Sequence, residues 1–377
     1  MEILQQIPHY GFWFLVVLTV LVFIHELGHF AVARLCGVRV EVFSIGFGPE
    51  LFGWTDRTGT RWKFSWLPLG GYVRMFGQDD NVLEGESSRP MTQPERAVSF
   101  RHKSIGRRMA IVAAGPAANY LFALVVLSLI YGILGKPHAD PVIGKVLPNS
   151  AAEAAGLQAG DRFLSLNGTP VGEFGDLVII IQLNLDKPLD IAVDRGGQTV
   201  HVTARPQIVT DKDLFGNVIR TPRLGVQQGG TASLVKVGPL ESIRAAAVET
   251  YTQSVVILTG AWQMLSGQRP SNEIRGVAGI AKMAGDVADL GFVSFAMFAV
   301  MLSINLGLIN LFPVPMLDGG HLAYYAIEAV RGRPLGERAQ EFGLKVGLAL
   351  VLSLMLFATW NDLVYLKVVD FVKSLFT

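Results

Sequence analysis

Long apolar runs alternate along this chain with stretches in which polar residues recur every few positions. Gly11–Ala33 is apolar apart from His25, Glu26 and His29. Met109–Leu134 runs 26 residues, and Gly291–Phe312 22 residues, without a charge. About 20 such residues are needed for a helix to cross the hydrocarbon core, so each run predicts a spanning helix. Val346–Trp360 is shorter and is fenced by Lys345 and Asp362. A snorkelling lysine extends its reach, and it reads as a fourth span. Residues 245–265 are apolar too but carry Glu249, Thr250, Gln253 and Ser254 within two turns. That pattern predicts an amphipathic helix on the membrane surface or packed on a domain. No Lys or Arg precedes the first run and no small-residue cleavage site ends it, so it reads as a retained span rather than a signal peptide.

Over residues 135–225 the pattern shortens and charges return. Val142–Val146, Pro148–Ala152, Ala155–Asp161 and Phe163–Gly168 read as strand, short helix, Gly turn, and strand with hairpin turn. Leu189–Val193 and Thr199–Ala204 flank Gly196-Gly197 as a second hairpin. Earlier in the chain, Thr60–Phe64 and Tyr72–Phe76 flank Trp66–Gly71, where Pro68 and the pair Gly70-Gly71 predict a turn between two strands. Trp62, Phe64, Trp66, Tyr72 and Phe76 give that hairpin the aromatic character of a membrane interface. The expected fold class is a membrane protein: an α-helical bundle of about four transmembrane helices, with an inserted β-rich domain and a membrane-associated β-hairpin. The expected units are 1–134, 135–225, 226–290 (amphipathic surface helices) and 291–377.

Composition sharpens this picture. Only 17% of the 377 residues are charged and 50% are apolar, with mean hydropathy +0.40. Soluble domains carry about 25% charge. Disordered, collagen-like and disulfide-scaffold classes are excluded, and the single Cys36 forms no internal disulfide. A net charge of +1 offers no field for nucleic acid. The basic residues are unevenly spread: none in 1–10, 12 in 34–108 and four in 313–345. By the positive-inside rule those two loops are expected to be cytoplasmic, with both termini and the 135–290 domain on the other side. Arg101, Lys103, Arg107 and Arg108 read as a topology anchor touching anionic lipid.

Ile24-His25-Glu26-Leu27-Gly28-His29 contains an H-E-x-x-H pattern. Positions i and i+4 share a helix face, so His25 and His29 can offer two imidazole nitrogens to one Zn²⁺. Glu26 sits beside them, where it would act as general base on a zinc-activated water. The pattern arises by chance in roughly one chain in 200 of this composition. Three ionisable side chains inside an apolar helix signal function by default. A catalytic zinc needs a third protein ligand. Asp318, in Asn310-Leu-Phe-Pro-Val-Pro-Met-Leu-Asp318-Gly-Gly, is the strongest candidate, with His321 as a rival. Two spans between the His pair and Asp318 would bring them to the same membrane side, which requires 245–265 not to cross.

These residues resemble the site-2 proteases, a family of intramembrane zinc metalloproteases, and most closely the bacterial regulators of sigma-E protease. The resemblance rests on HELGH at 25–29, PLGGYVRM at 68–75, AGPAAN at 114–119, the 135–225 domain and NLFPVPMLDGGH at 310–321. It implies Zn²⁺ held by His25, His29 and Asp318, and Glu26 as catalytic base. It also implies a substrate-placing role for Asn310 with the Pro313/Pro315 turn, and a bacterial inner-membrane location with the active site near the cytoplasmic side. The 135–225 domain is similar to a single circularly permuted PDZ domain; it would either bind an extended peptide or act as a size filter. Gly70, Gly71 and Tyr72 are candidates for pairing with an unwinding substrate strand. The expected substrates are single-span membrane proteins of the anti-sigma-factor type. The alternatives are a non-catalytic, membrane-tethered PDZ receptor with a structural metal and a transporter with a midplane zinc site.

Overall fold

The computed structural model describes residues 2–78, 91–185, 187–212, 218–230, 233–269 and 274–365. The last two lysines of the chain, Lys367 and Lys373, lie outside them. The chain divides into two compact units: Met1–Val126 with Ile274–Thr377, and Leu127–Glu273.

The first unit opens with α1 (Glu2–Leu35), which carries the first apolar run. It ends in a Schellman motif. Gly37 adopts φ +70, the Val38 N–H donates to the Ala33 carbonyl and the Gly37 N–H to that of Arg34. The chain then enters a sheet of two long, bent strands, β1 (Val40–Thr55) and β2 (Arg61–Met75). Their outer arms pair Glu50–Thr55 with Arg61–Ser65, while Phe43 lies beside Val73 on one side and beside Trp62 on the other. Val40–Ile45 therefore separates the two segments that sequence alone pairs directly across Trp66–Gly71. The physical reason is packing. Phe43 is 1% exposed, stacks on Trp62 at 4.3 Å between ring centres and meets Phe23 and Phe30 of α1 edge-on at 5.7 Å. That burial holds β1 at the centre, and the 71–75 segment becomes an edge. After the short α2 (Gln93–Val98), α3 (Ile105–Leu134) carries the second apolar run. Gly28 of α1 lets the two helices close; a Cβ there would run into the Ala114 carbonyl and, at 2.7 Å, into the Ala118 methyl.

The second unit is β-rich. It contains β3 (Lys136–His138), β4 (Ile143–Val146), α4 (Ala151–Ala154), β5 (Arg162–Leu166), β6 (Thr169–Pro170), α5 (Phe174–Asn184), β7 (Leu189–Arg195), β8 (Gln198–Ala204), β9 (Gln207–Lys212), β10 (Val218–Arg223), β11 (Val226–Gln228), β12 (Ser233–Val235) and α6 (Pro239–Leu265). The main sheet runs β6-β5-β7-β8. Its two tight turns sit at Asn167-Gly168 and Gly196-Gly197, all four residues at positive φ, as two-residue hairpins of this hand require. β11 pairs back onto β4, and β12 onto β3. Phe163, Leu166, Leu177, Leu189, Ile191, Val193 and Leu224 form the core.

One ion pair with a buried carboxylate ties the residue before β5 to the end of β7. The Asp161 carboxylate, 1% exposed, accepts both arms of Arg195 at 2.8 and 2.7 Å and the Gln158 N–H at 2.9 Å. Burial pushes its pKa up, but the Arg195 and Gln158 hydrogen bonds outweigh burial and hold it below the ordinary value. A depressed carboxylate stabilises the fold above its unfolded value and loses that contribution as pH falls through the folded one. Asp161→Asn is therefore expected to lower the unit's stability by about 2 kcal/mol at neutral pH. The gap from wild type should begin to narrow below about pH 4 and close as pH falls through the depressed folded value. Hydrogen-exchange protection of β5 and β7 at the two pH values checks this.

The chain re-enters the first unit through α7 (Val277–Asp289), then α8 (Phe292–Leu311), α9 (Asp318–Arg331) and α10 (Glu337–Tyr365). The N-terminus of α7 is capped from α10: the Gly276 and Gly279 N–H groups each donate to Asp362 at 2.9 Å. Between α8 and α9, the carbonyls of the Phe312–Leu317 turn lie where side chains of Gly319 and Gly320 would be, so only glycine closes it. Met316 is held at φ +88 in this turn, a conformation rare outside glycine.

Among the described residues, four helices are long and apolar enough to cross a membrane: Gln6–Leu35, Ile105–Leu134, Phe292–Leu311 and Arg338–Val364. α6 is not among them. Leu121, Val125, Leu129 and Ile133, one stripe of α3, are all exposed in the protein alone, as a lipid-facing surface would be. The fold is thus a membrane helical bundle with an inserted β-rich domain.

Candidate metal centre

The apolar character of α1 fixes its helix, and the helix fixes the first two donors. His25 and His29, both buried, present their Nε2 atoms 3.2 Å apart. Asp318 opens α9, and its Oδ2 lies 3.1 Å from His25 Nε2 and 3.5 Å from His29 Nε2. Ligands about 2.0–2.1 Å from a tetrahedral ion stand about 3.3 Å from one another. The three separations fit that edge length. Among the described residues, these three form the one converging group of His, Cys, Asp or Glu side chains. His321 is exposed and stands outside it.

Two further observations test whether a cation fits. The His29 Nδ1 lies 2.9 Å from the Ile111 main-chain carbonyl. A carbonyl only accepts, so Nδ1 carries the proton and the Nε2 lone pair faces the cluster. Asp318 Oδ2 is buried without a hydrogen-bond donor, a costly condition unless a cation neutralises it. Space is also kept open. A Cβ added to Gly115 of α3 would sit 2.8 Å from His25 Nε2 and closer still to His29 Nε2. The missing side chain leaves a cradle where the donors meet.

Glu26 lies beside this cradle. Its Cγ would be 3.3 Å from a Cβ on Gly71, and its carboxylate faces the Val73 backbone N–H, so the edge segment of β2 passes next to it. The other candidates sit at various distances from the centre. Asn310 is half-buried in the last turn of α8, Pro313 is exposed and Pro315 is half-buried in the following turn. Pro315 seats against Gly343 and Gly347 of α10. Gly70 adopts φ +140 beneath the Phe47 ring, and Tyr72 stacks on Phe47 at 6.1 Å with the Lys63 ammonium 5.3 Å from its ring. Among the described residues, none of Asn310, Pro313, Pro315, Gly70 or Tyr72 hydrogen-bonds to His25, His29 or Asp318.

On α3, Gly115 and Asn119 stand out in the sequence for close helix approach and contact to the site, or for plain packing, whereas Ile111 does not. Ile111, Gly115 and Asn119 recur every four residues on one stripe of that helix. They supply the carbonyl to His29, the cradle, and an amide 3.1 Å from His25 Nδ1. One turn earlier on the same helix, Arg108 donates to Glu328 at 2.6 Å and lies over the Tyr325 ring at 4.7 Å. That pair ties α3 to α9, the helix that begins with Asp318. The i, i+4, i+8 spacing was the available signal.

The sequence profile of Peptidase family M50 matches residues 13–354. A protein of Rhizobium meliloti named as a candidate zinc metalloprotease is 42% identical over 362 residues, covering 94% of this chain and 96% of its own. The Metalloprotease MmpA of Caulobacter vibrioides is 36% identical over 387 residues, covering 96% and 97%. A solved PDZ domain from Listeria monocytogenes aligns with 23% of this chain and 84% of its own at 17% identity, with a TM-score of 0.19. That likeness is too slight to carry the fold, which rests on the strand order above.

Proposed function

The chain belongs to peptidase family M50, and from that membership we propose that it is a zinc-dependent intramembrane endopeptidase acting on single-span membrane proteins. The convergence of His25, His29 and Asp318 within a tetrahedral edge of one another, on helices of a membrane bundle, carries this reading. The names of the relatives support zinc and protease chemistry.

His25, His29 and Asp318 hold the zinc, which when bound supplies Lewis acidity that activates water and polarises a carbonyl. Glu26 takes the proton of the attacking water and returns it to the leaving amine, so one water is consumed and one peptide bond becomes a carboxylate and an amine. A helical peptide bond is hydrogen-bonded and shielded, so the substrate must be extended before attack. Gly70, Gly71 and Tyr72, on the edge segment of β2 beside Glu26, pair with that extended strand. Asn310 with the Pro313/Pro315 turn completes its placement. The basic loops support an active site near the cytoplasmic face of a bacterial inner membrane, with the β-rich domain and both termini opposite. That domain, PDZ-like, binds an extended segment or excludes bulky substrates. Anti-sigma-factor-like substrates follow from the resemblance alone.

Purified protein and Asp318→Asn, assayed on a transmembrane reporter and by zinc analysis, test this. Wild type is expected to hold about one zinc per chain and to cleave within the reporter's membrane segment. The variant should lose both. Zinc retained without any cleavage by wild type would favour the membrane-tethered PDZ receptor instead.

A further inference from the structure

We infer that Asn119 is a positioning residue for His25: its amide oxygen receives the Nδ1 proton and so turns the Nε2 lone pair toward the metal position. This rests on the zinc reading above.

His25 has two ring nitrogens with two tasks. Nε2 faces His29 and Asp318, while Nδ1 lies 3.1 Å from the Asn119 side-chain amide. Asn119 is fully buried, and its main-chain carbonyl accepts from Ser303 Oγ of α8 at 2.9 Å, which pins its backbone between two helices. Nδ2 faces His25, and Oδ1 is buried without a partner. The two ends of a primary amide exchange by a half-turn and are assigned from the hydrogen bonds they make.

The imidazole decides between them. With Nδ2 toward His25, the amide donates to Nδ1, and the proton of the neutral ring must sit on Nε2. That N–H would point among the other donors, and an N–H does not ligate a cation. With Oδ1 toward His25, Nδ1 donates to it and Nε2 offers its lone pair; the amide nitrogen then takes the buried position that Oδ1 held, so the choice rests on the imidazole alone. His29 already has this arrangement, with Nδ1 facing the Ile111 carbonyl. One stripe of α3 thus orients both imidazoles, four residues to either side of Gly115, without supplying a ligand. Such partners fix the tautomer and ring orientation of metal-bound histidine.

The test measures zinc affinity rather than turnover. Full-length wild type, Asn119→Asp and Asn119→Leu are stripped with a chelator and titrated with Zn²⁺ against a chromophoric competitor. Asp has the shape of Asn and only accepts, so Asn119→Asp is expected to bind within about threefold of wild type. Asn119→Leu is expected to bind about 10- to 100-fold more weakly. A loss of tenfold or more in Asn119→Asp would mean that the amide N–H was the working group, and would overturn the inference. So would wild-type affinity in Asn119→Leu. Should the leucine variant fail to fold, the isosteric Asp variant decides alone. If wild type itself takes up no zinc, the metal reading falls and this inference with it; zinc in wild type but not in Asn119→Asp removes only the role of Asn119.

Discussion

Alanine at position 115 is expected to empty the metal centre while leaving the fold intact. The methyl would stand between the two histidine Nε2 atoms, 2.8 Å from that of His25 and nearer to that of His29. The ion would have to occupy the same space. The helix itself gains from the change, since Ala is favoured over Gly in a helix interior by about 1 kcal/mol. The rings can swing away, so the strain falls on ligand geometry rather than on the backbone. Zinc content by elemental analysis should fall from about one per chain to below about a tenth, given that a metal site fails when its ligands cannot reach bonding distance. Thermal unfolding of the metal-free proteins should differ by only a few degrees, as expected for about 1 kcal/mol. Full zinc occupancy in Gly115→Ala would show that the cradle is not the metal position.

The second large effect lies at Glu26, and it separates chemistry from binding. Glu26→Gln keeps the size of the side chain and its contact with the β2 edge near Gly71 and Val73. What it removes is the ability to take a proton from water. General acid–base catalysis contributes about 10²- to 10⁴-fold, so reporter cleavage should fall by that factor while zinc stoichiometry and affinity stay near wild type. Together the two variants divide the site. One loses the metal first and activity as a consequence, while the other loses activity with the metal in place. Equal cleavage by Glu26→Gln and wild type would reject Glu26 as the base.

The four apolar runs and the His25/His29 pair could be read directly because each depends on residues close together in sequence. A charge-free stretch of about 20 residues has few ways to satisfy its backbone except as a spanning helix. A four-residue spacing places two side chains on one helix face whatever surrounds it. The hairpins at Asn167-Gly168 and Gly196-Gly197 were legible for the same local reason: their turns demand positive φ. Excluding 245–265 from the spans follows from its polar residues and from the need to bring Asp318 to the side of the histidines, and α6 is not among the four long apolar helices of the described residues.

The sheet order was less accessible. Val40–Ile45 is as apolar as a buried strand should be, but no local pattern says that it lies between Arg61–Phe64 and Gly71–Met75. That choice came from the Phe43 ring finding Trp62, Phe23 and Phe30 at once. On α3, Gly115 and Asn119 could be picked out as small and polar residues in an apolar run, but not which face of the helix meets the site. The helix is apolar all round, and such a helix carries no moment to say which face is turned inward.

By itself, then, the sequence determined which segments are helical and apolar, and which residue types with metal chemistry lie on them. Hydropathy and helical period act over a few residues and need no partner. Only the tertiary structure decided that Asp318 stands within 3.5 Å of both histidines and that Gly115 leaves room between them. The same packing set the Ile111 carbonyl and the Asn119 amide against the two Nδ1 atoms. These are contacts between helices 80 or more residues apart, set by how Gly28 and Gly115 let α1 and α3 close. Side-chain volume at a crossing point is a property of the packed pair, and no single segment contains it.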